Sequence, residues 1–384
     1  MKRLTSFILF LALASCQETI VPIATLENGL VSVNTSDVKD TVEIKLSDLI
    51  EDVEIIQLDS KIEAYVHASQ FYNISDNYIL GTDGKQIKLF DRKTGKLITN
   101  VGGLGNGPGE YKQYVSSFQI YEKRNAIYII DGFGARWINE YDLQGEFIRR
   151  IPLADKRAVP YSNILIDEEK DIVSIFTIPQ NSVVWQQDFE GNFITDRAVI
   201  KQDPKKNKTA FTRVRDNSFD ISTTQFYNMQ DTLYRYDKEN HIITPKFTVN
   251  VEGYSVCESV KDTRFTTRYY ELPRHFIARI SEGDMFKGGK GSSKHIIINK
   301  ENLSGSYFNL INDFVFSSEI PYLITSGDYF IIGYEAEKLM EITENATEEQ
   351  RKNMDSKLLE KLDNLYDNMD EESNATILIG KFKQ

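Results

Sequence analysis

The feature that most constrains the fold is a segment that recurs about every fifty residues. Each copy contains alternating apolar residues, an Asp, a turn closed by Gly or Asn, and a second apolar run, which is the pattern of a β-hairpin. The copies begin at Lys88, Glu140, Gln187 and, more weakly, Tyr234. A further strand pair precedes the hairpins, as at 77–80 before the first. About four strands per repeat is the content of one propeller blade.

The spacing of the turns and the later strand clusters set the number of repeats. The closing residues Gly95, Gly145, Gly191 and Asn240 lie 50, 46 and 49 positions apart. Asn fits the fourth place because it tolerates positive φ better than most residues. Strand clusters at 295–310 and 329–382 raise the count to six. The sequence therefore predicts an all-β, six-bladed β-propeller over residues 41–384, in which 44–58 completes the last blade beside the C-terminal strand.

Two segments depart from the repeat. Residues 254–294 lengthen the fifth repeat and carry eight basic against five acidic residues, so we expect a partly helical insertion that contacts a partner or packs as a lid around Cys257. Residues 335–373 hold thirteen acidic and five basic residues with apolar residues spaced by three and four, which predicts an acidic amphipathic helix before the closing strand. Thr347 and Gln350 have the spacing of its capping box. Its charged side is expected to be a solvated face rather than a docking tail.

The first residues have the pattern of an export signal. Lys2 and Arg3 precede the apolar run 7–13, which is too short to span a bilayer. The run ends in LASC at 13–16, which resembles a bacterial lipobox. We therefore expect a signal peptide over 1–15, lipidation of Cys16, and a flexible tether over 16–40. Gln17 in place of Asp favours the outer membrane of the cell envelope.

Composition narrows the classes of function. The formal charge is −12, and nucleic-acid binding needs clustered basic residues, so no nucleic-acid partner is predicted. The 2 Cys and 4 His show no metal-ligand spacing, so neither a metal nor a cofactor is predicted. The string GGLGNGPGEY at 102–111 lacks the Lys-Ser/Thr of a phosphate-binding loop and reads as a tight connection between blades.

That string also carries a family resemblance. It is similar to the GxGxGPGEY stretch of six-bladed β-propeller lipoproteins of Bacteroidota, which are related to NHL-repeat propellers. The segments 55–58, 230–236 and 375–382 look like the same family, so the resemblance covers nearly all of the chain after the tether. It implies a propeller fold and an envelope location. It implies no reaction and no catalytic residues.

Two groups of residues are predicted to form contacts. The loop 131–137 places an arginine and a tryptophan where they would stack on and hydrogen-bond a sugar or peptide, although an Asp-Gly turn followed by a core aromatic is the favoured interpretation. The predicted ligand contacts are Asp131, Arg136, Trp137, Glu110 and Tyr111. The predicted partner contacts are Arg264, Arg268, Tyr269 and Tyr270, because Arg and aromatic residues are enriched at interface hot spots.

Two functions follow from these patterns. The first is a non-catalytic binding or accessory lipoprotein for glycans, peptides, a TonB-dependent transporter or another envelope protein. The second is a propeller hydrolase or lyase acting on an extracellular carbohydrate, for which the sequence singles out no catalytic residue. Converging carboxylates in a pocket would favour the enzyme, whereas an aromatic groove would favour binding.

Overall fold

Six sheets built around four antiparallel strands form the fold; five follow the chain as a meander, and the sixth takes its fourth strand from the N-terminal part of the chain. The structure is a computed structural model that describes residues 21–68, 72–112, 115–132, 134–154, 163–176, 184–198, 209–213, 219–223, 232–252, 265–282, 292–316, 318–319 and 325–384. The sheets are the blades of a six-bladed β-propeller, as the repeat predicts.

The chain contributes an N-terminal strap before the first blade begins. We use this name for residues 23–58. Its elements are β1 (Ala24–Glu27), β2 (Leu30–Asn34), β3 (Thr41–Lys45), the short helix α1 (Leu46–Leu49) and β4 (Ile50–Gln57).

Blades 1 to 3 follow the strap. Blade 1 contains β5 (Asn73–Ile74), β6 (Tyr78–Thr82), β7 (Ile87–Asp91) and β8 (Leu97–Val101), and the small strands β9 (Gly103–Leu104) and β10 (Glu110–Tyr111) lie in the connection to blade 2. Blade 2 contains β11 (Val115–Tyr121), β12 (Ala126–Asp131), β13 (Trp137–Tyr141) and β14 (Phe147–Pro152). Blade 3 contains β15 (Asn163–Asp167), β16 (Ile172–Phe176), β17 (Val184–Gln187) and β18 (Phe193–Ala198).

Blades 4 to 6 complete the ring. Blade 4 contains β19 (Thr209–Arg213), β20 (Phe219–Thr223), β21 (Thr232–Asp237) and β22 (Ile242–Asn250). Blade 5 contains β23 (Phe265–Glu271), β24 (His275–Glu282), β25 (Ser292–Asn299) and β26 (Gly305–Asn312), with the short β27 (Ser318–Glu319) beside β26. Blade 6 contains β28 (Thr325–Ser326), β29 (Tyr329–Tyr334) and β30 (Thr376–Phe382), and its fourth strand is β4.

The strap runs along the outer edges of three successive blades. β2 pairs in parallel with β22 of blade 4, β3 pairs in parallel with β26 of blade 5, and β4 pairs antiparallel with β30. The prediction that 44–58 completes the last blade is confirmed for β4. The prediction of a flexible tether over 16–40 is wrong for 24–34, because Val31 and Val33 are buried in one core with Phe247. Residues 1–20, including Cys16, lie outside the described part.

The hairpin turns recur with one correction. Gly95, Gly145 and Gly191 have φ of 70°, 83° and 82°. In blade 4 the positive φ of 53° falls on His241, so the prediction for Asn240 is wrong. The turn of blade 4 has the spacing of the first turn, in which Gly95 lies four residues after an Asp, whereas Gly145 and Gly191 lie three residues after theirs. The Asn240 side chain instead donates to the carboxylate of Asp237 at 2.6 Å.

The fifth repeat is more regular than its sequence indicates. Residues 265–282 and 292–299 form β23, β24 and β25, so the predicted helical insertion is wrong for the described residues of 254–294. The physical reason is that a four-stranded blade needs this length of chain for its own inner strands. Residues 253–264 and 283–291, with Arg264 and Cys257, lie outside the described part.

The acidic segment 335–373 is helical, as predicted, but it forms three helices. These are α2 (Ala336–Glu344), α3 (Glu348–Asn353) and α4 (Ser356–Asp367). The predicted capping box is present at α3, where Thr347 and Gln350 bond each other's backbone N–H. Leu339 and Leu362 are buried in the same core as Phe382 of the closing strand. No helix in the part of the chain that the structure describes is long and apolar enough to cross a membrane.

Buried tyrosine hydroxyls join neighbouring blades. The Tyr121 hydroxyl of blade 2 accepts the Ile166 N–H of blade 3 at 2.9 Å. The Tyr269 hydroxyl of blade 5 likewise accepts the Val249 N–H of blade 4 at 3.2 Å. Each bond satisfies a backbone donor that burial would otherwise leave unpaired, so each stabilises the contact between two blades.

Candidate ligand-binding site

The glycine-rich segment 102–111 forms a rigid connection between blades 1 and 2. Its strands β9 and β10 pair in parallel, and the Gly105 N–H donates to the Tyr111 carbonyl at 3.0 Å. The Gly107 N–H donates to the Glu110 carboxylate at 2.7 Å. These hydrogen bonds within the segment hold it in a compact turn, as predicted for a connection between blades.

Two glycines of this connection have no room for a side chain. Gly102 has φ of 56°, and a Cβ there would lie 2.7 Å from the Tyr141 ring. Gly109 has φ of 76°, and a Cβ there would lie 2.8 Å from the Cβ of Phe147. Glycine is therefore required for close packing and for positive φ rather than for contact with a phosphate.

Tyr111 anchors the connection to blade 1. Its hydroxyl accepts the Ile87 N–H at 2.9 Å and donates to the Val101 carbonyl at 3.0 Å. The ring is buried at 1% exposure, and this burial raises the pKa of Tyr111 to about 12. Because a buried ring is not accessible to a ligand, the predicted ligand contact at Tyr111 is corrected to a structural role.

A stacked arginine and tryptophan join blade 2 to the glycine-rich connection. The Arg150 guanidinium lies over the Trp137 ring, 4.2 Å from its centroid. The same guanidinium donates to the Gly107 carbonyl and, through Nε, to Asn139 Oδ1 at 3.3 Å. The Asn139 amide in turn donates to the Glu110 carbonyl at 3.4 Å. These hydrogen bonds fix the Arg150 guanidinium over the Trp137 ring, and we call the two residues the Trp137–Arg150 pair.

The other predicted ligand contacts belong to blade 2 or to the glycine-rich connection. Arg136 is exposed, and its carbonyl accepts the Leu153 N–H at 2.9 Å. Trp137 and Glu110 are partly exposed. Asp131 is nearly buried, and its carboxylate accepts the Lys112 N–H at 3.0 Å, which fixes the end of the connection. Arg136, Trp137 and Glu110 thus remain candidates for ligand contact, whereas Asp131 is mainly structural.

The sequence did not single out Asn139 and Arg150. Both lie on strands of blade 2, and the register pairs them directly across β13 and β14. Alternation along β13 places Asn139 on the same face as Trp137, two residues before it. That alternation and the two arginines after the Gly145 turn are the sequence features from which the contact between Arg150 and Trp137 could have been predicted.

The predicted partner contacts of blade 5 are only partly accessible. Arg268 is exposed on β23. Tyr269 and Tyr270 are 2% and 8% exposed and belong to two different cores. Both faces of an inner strand pack against neighbouring blades, so both side chains are buried, and their predicted role as partner contacts is corrected. Arg264 lies outside the described residues.

A concave surface lies beside the helical segment. A groove of about 500 Å³ runs between α4 and β4 and is lined by Gln57, Lys357, Lys361 and Asn364, among others. A groove of about 290 Å³ continues from Lys361 to the ion pair between Glu54 and Arg92, whose atoms lie 2.6 Å apart. None of the predicted contact residues lines either groove. Among the described residues no group of three or more His, Cys, Asp or Glu has the geometry of a metal site.

A family model described as "Domain of unknown function (DUF4934)" matches residues 30–381. The chain belongs to the DUF4934 family. A search of curated protein sequences finds no match.

Comparison with solved structures supports the propeller fold of this DUF4934 protein. A Bacteroides fragilis protein assigned as exported is 16% identical, with a TM-score of 0.63, over 92% of this chain and 100% of that one. Hydrazine synthase of Kuenenia stuttgartiensis is 10% identical over 78% of this chain and 83% of that one, with a TM-score of 0.39. The N-terminal domain of Nup159 is 11% identical over 77% and 80%, with a TM-score of 0.41. The likeness to the Bacteroides fragilis protein supports the fold and nothing further, and the other two likenesses are too weak to support the fold.

Proposed function

We propose that this DUF4934 protein is an exported, lipid-anchored protein of the bacterial outer membrane that binds a glycan or a peptide without catalysis. The lipobox-like LASC at 13–16 supports the anchor. The likeness to a Bacteroides fragilis protein assigned as exported is in keeping with export. A diacylated cysteine gives firm attachment, because two acyl chains bind a bilayer far better than one.

The observation that carries the binding function is the Trp137–Arg150 pair. An indole and a guanidinium offer planar surfaces on which a sugar ring or a peptide group can stack. The pair is fixed by the glycine-rich connection, so little side-chain entropy is lost when a ligand binds. Sugar rings and peptide groups present the flat faces and polar edges that such a surface recognises.

The test is a screen of glycan and peptide arrays with the purified mature chain, followed by titration of each ligand found. We expect Trp137→Ala to weaken binding at least tenfold. Arg268→Ala is the matched control, because it removes an exposed arginine on the far side of the ring and should leave binding unchanged. Equal binding by wild type and Trp137→Ala would refute this site.

The alternative function is that of a propeller hydrolase or lyase acting on an extracellular carbohydrate. Incubation of the wild-type chain with each bound glycan, followed by chromatography of the products, decides between the two. Intact glycan after prolonged incubation supports the binding protein, and any cleavage that requires the folded chain supports the enzyme. A TonB-dependent transporter remains a proposed partner, which co-purification from the native envelope would test.

A further inference from the structure

We propose that the groove between α4 and β4 binds an extended acidic segment of another protein, which adds to blade 6 as a further strand. We call this surface the α4 groove, and it consists of the two adjoining grooves described above, which share Lys361. It includes neither residue of the Trp137–Arg150 pair. The inference therefore adds a second binding site and does not depend on the lipid anchor.

β4 presents an unpaired outer edge to the α4 groove. It is the last strand of the blade 6 sheet, and no other strand of the described chain pairs with its outer side. Ile55 lines the groove, although its side chain is 3% exposed and packs in the core that contains Phe382. Ile55 must therefore line the groove with its backbone. Free backbone N–H and C=O groups on an edge strand are a template for another extended chain.

α4 lies beside this edge without closing it. Leu362 is buried and anchors α4 to the same core as Ile55. A helix satisfies its backbone groups internally, so α4 cannot pair with a strand. The space left between them is about 500 Å³ and is lined in part by the partly buried Leu365 and Met369. An apolar strip beside an open edge suits an added strand, because every second side chain of that strand can pack on it.

Blades 4 and 5 show that an outer edge of this ring accepts a fifth strand. β2 pairs in parallel with β22 of blade 4, and β3 pairs in parallel with β26 of blade 5. β4 is itself the fourth strand of blade 6, so within the described residues blade 6 has no counterpart of β2 or β3. A segment of another protein can take that place.

Unpaired lysines give the α4 groove a preference for acidic segments. Lys357 and Lys361 lie one turn apart on α4, and Lys93 lines the adjoining groove. None of the three forms an ion pair with the described part of the chain. Lys338 and Arg351 of the same helical segment, in contrast, each contact a carboxylate at 2.7 Å. In a chain with a formal charge of −12, unpaired cations gathered at one groove indicate an anionic partner.

The acidic residues of the groove offset these lysines only in part. Glu54 is held by Arg92 at 2.6 Å and is therefore neutralised. Glu360 and Asp76 also line the groove and form no ion pair with described residues, so three unpaired cations face two unpaired anions. Because alternate side chains of a strand point the same way, a segment with an acid at every second position presents all its carboxylates to one side.

A peptide fits the α4 groove better than a sugar. The Gln57 amide donates to the Asn374 carbonyl at 2.5 Å and accepts from the Thr376 hydroxyl at 2.6 Å. The Arg92 guanidinium lies over the Tyr329 ring, 4.4 Å from its centroid. An amide and an aromatic ring that a sugar would use are thus engaged within the protein. The strand edge and the lysine amines remain open to a peptide.

The first test measures binding of labelled ten-residue peptides to the mature chain by fluorescence polarisation. The peptides alternate threonine with glutamate, glutamine or lysine, so they differ mainly in charge. We expect the glutamate peptide to bind about tenfold more tightly than the glutamine peptide, and the lysine peptide not to bind. Equal affinities for the three peptides would overturn the acidic preference.

Charge reversal tests whether the peptide lies in the α4 groove. The double variant Lys357→Glu with Lys361→Glu should weaken binding of the glutamate peptide about tenfold, because two attractions become repulsions. Lys338→Glu with Lys352→Glu is the matched control, since it makes the same change of charge on the same helical segment and neither lysine lines the groove. Thermal unfolding checks that both variants fold. An equal loss of binding in both would overturn the site.

Backbone pairing is tested with glutamate peptides that carry N-methyl groups on either the odd or the even amides. They keep their charge but cannot donate to β4, so we expect one of the two to bind no better than the glutamine peptide. Unchanged affinity of both would refute strand addition. Trp137→Ala should leave peptide binding unchanged. Loss of peptide binding in that variant would place the peptide at the Trp137–Arg150 pair and refute the α4 groove, while supporting the function proposed for that pair.

Discussion

The two halves of the ring differ at their outer edges. In blades 4 to 6 the strap covers or completes the edge through β2, β3 and β4. In blades 1 to 3 the outermost strands are β8, β14 and β18, and within the described residues no further strand pairs with them. In one half, which we call the covered half, the N-terminal chain forms the outer edge, and in the other, the open half, the fourth strand of each blade forms it.

Exposed isoleucines recur on the outermost strands of the open half. Ile98, Ile148 and Ile194 each lie three residues after the turn glycine of their blade, and each is exposed. An exposed edge strand with apolar side chains is a template for pairing with another chain. The division also separates two parts of the chain, because the strap lies on the covered half and the candidate site lies in the open half.

The largest effect is expected from removal of the strap. Deletion of residues 21–57 takes away the outer partner of β30 and the buried side chains of Ile50, Ile55 and Ile56. Each such side chain contributes about 1.5–3 kcal/mol by burial, which is a large share of a total stability of about 5–15 kcal/mol. We expect loss of cooperative unfolding in calorimetry.

A shorter deletion is the control for that prediction. Deletion of 21–35 removes β1 and β2 but leaves β4 in blade 6, so the ring should stay closed with a lowered melting temperature. If the longer deletion melts as cooperatively as the shorter one, ring closure does not depend on β4.

The second prediction concerns close packing in the open half. Gly102→Ala places a Cβ at positive φ and within 2.7 Å of the Tyr141 ring, so we expect a loss of about 2–4 kcal/mol in the free energy of unfolding. Gly84→Ala is the matched control, because Gly84 also has positive φ of 83° but nothing within 4 Å of its Cβ position. Its loss should be about 1 kcal/mol. Urea denaturation of both variants checks the difference, and equal losses would contradict the packing argument.

The periodic parts of this fold could be predicted from the sequence, whereas contacts across the ring could not. The Gly95, Gly145 and Gly191 turns give blade number and spacing because each depends only on its neighbours in the chain. Burial of Tyr269 and Tyr270 depends on how adjacent blades pack, and a single strand does not encode it. β2 pairs with a strand of blade 4 that lies more than two hundred positions away in the chain. Because no local pattern shows such a pairing, the sequence predicts a tether over 16–40.

The same limit applies to the candidate site. The glycine-rich string identified the rigid connection, because glycine and proline patterns are local. Arg150 over Trp137 was missed, since their proximity follows from the register of β13 and β14. Pairing across strands therefore supplied the part of the site that local patterns could not.

The third prediction compares the halves through their tyrosines. Tyr121→Phe in the open half and Tyr269→Phe in the covered half each remove a hydroxyl that accepts a buried backbone N–H. An unpaired buried donor costs about 1–3 kcal/mol. We expect similar losses of about 1–2 kcal/mol in both variants, measured by denaturant unfolding. A loss confined to one variant would mean that the strap, rather than the contact between blades, sets stability in that half.

The smallest predicted effect is a pH dependence located in the covered half. Burial lowers the pKa of His275, and the adjacent Arg274 and Lys300 cations lower it further. Above its ordinary pKa near 6.5 the imidazole is neutral in both the folded and the unfolded chain, so stability is fully present there. As the pH falls through 6.5 the unfolded chain binds the proton first, so stability is lost toward the lower folded pKa. One proton changes the free energy of unfolding by at most about 1.4 kcal/mol per pH unit.

We expect His275→Gln to flatten the decline in stability between about pH 7 and pH 5, measured as the urea midpoint at each pH. His67, which is exposed in the connection to blade 1, gives the control variant His67→Gln, and an equal flattening by both variants would show that burial in blade 5 is not the cause.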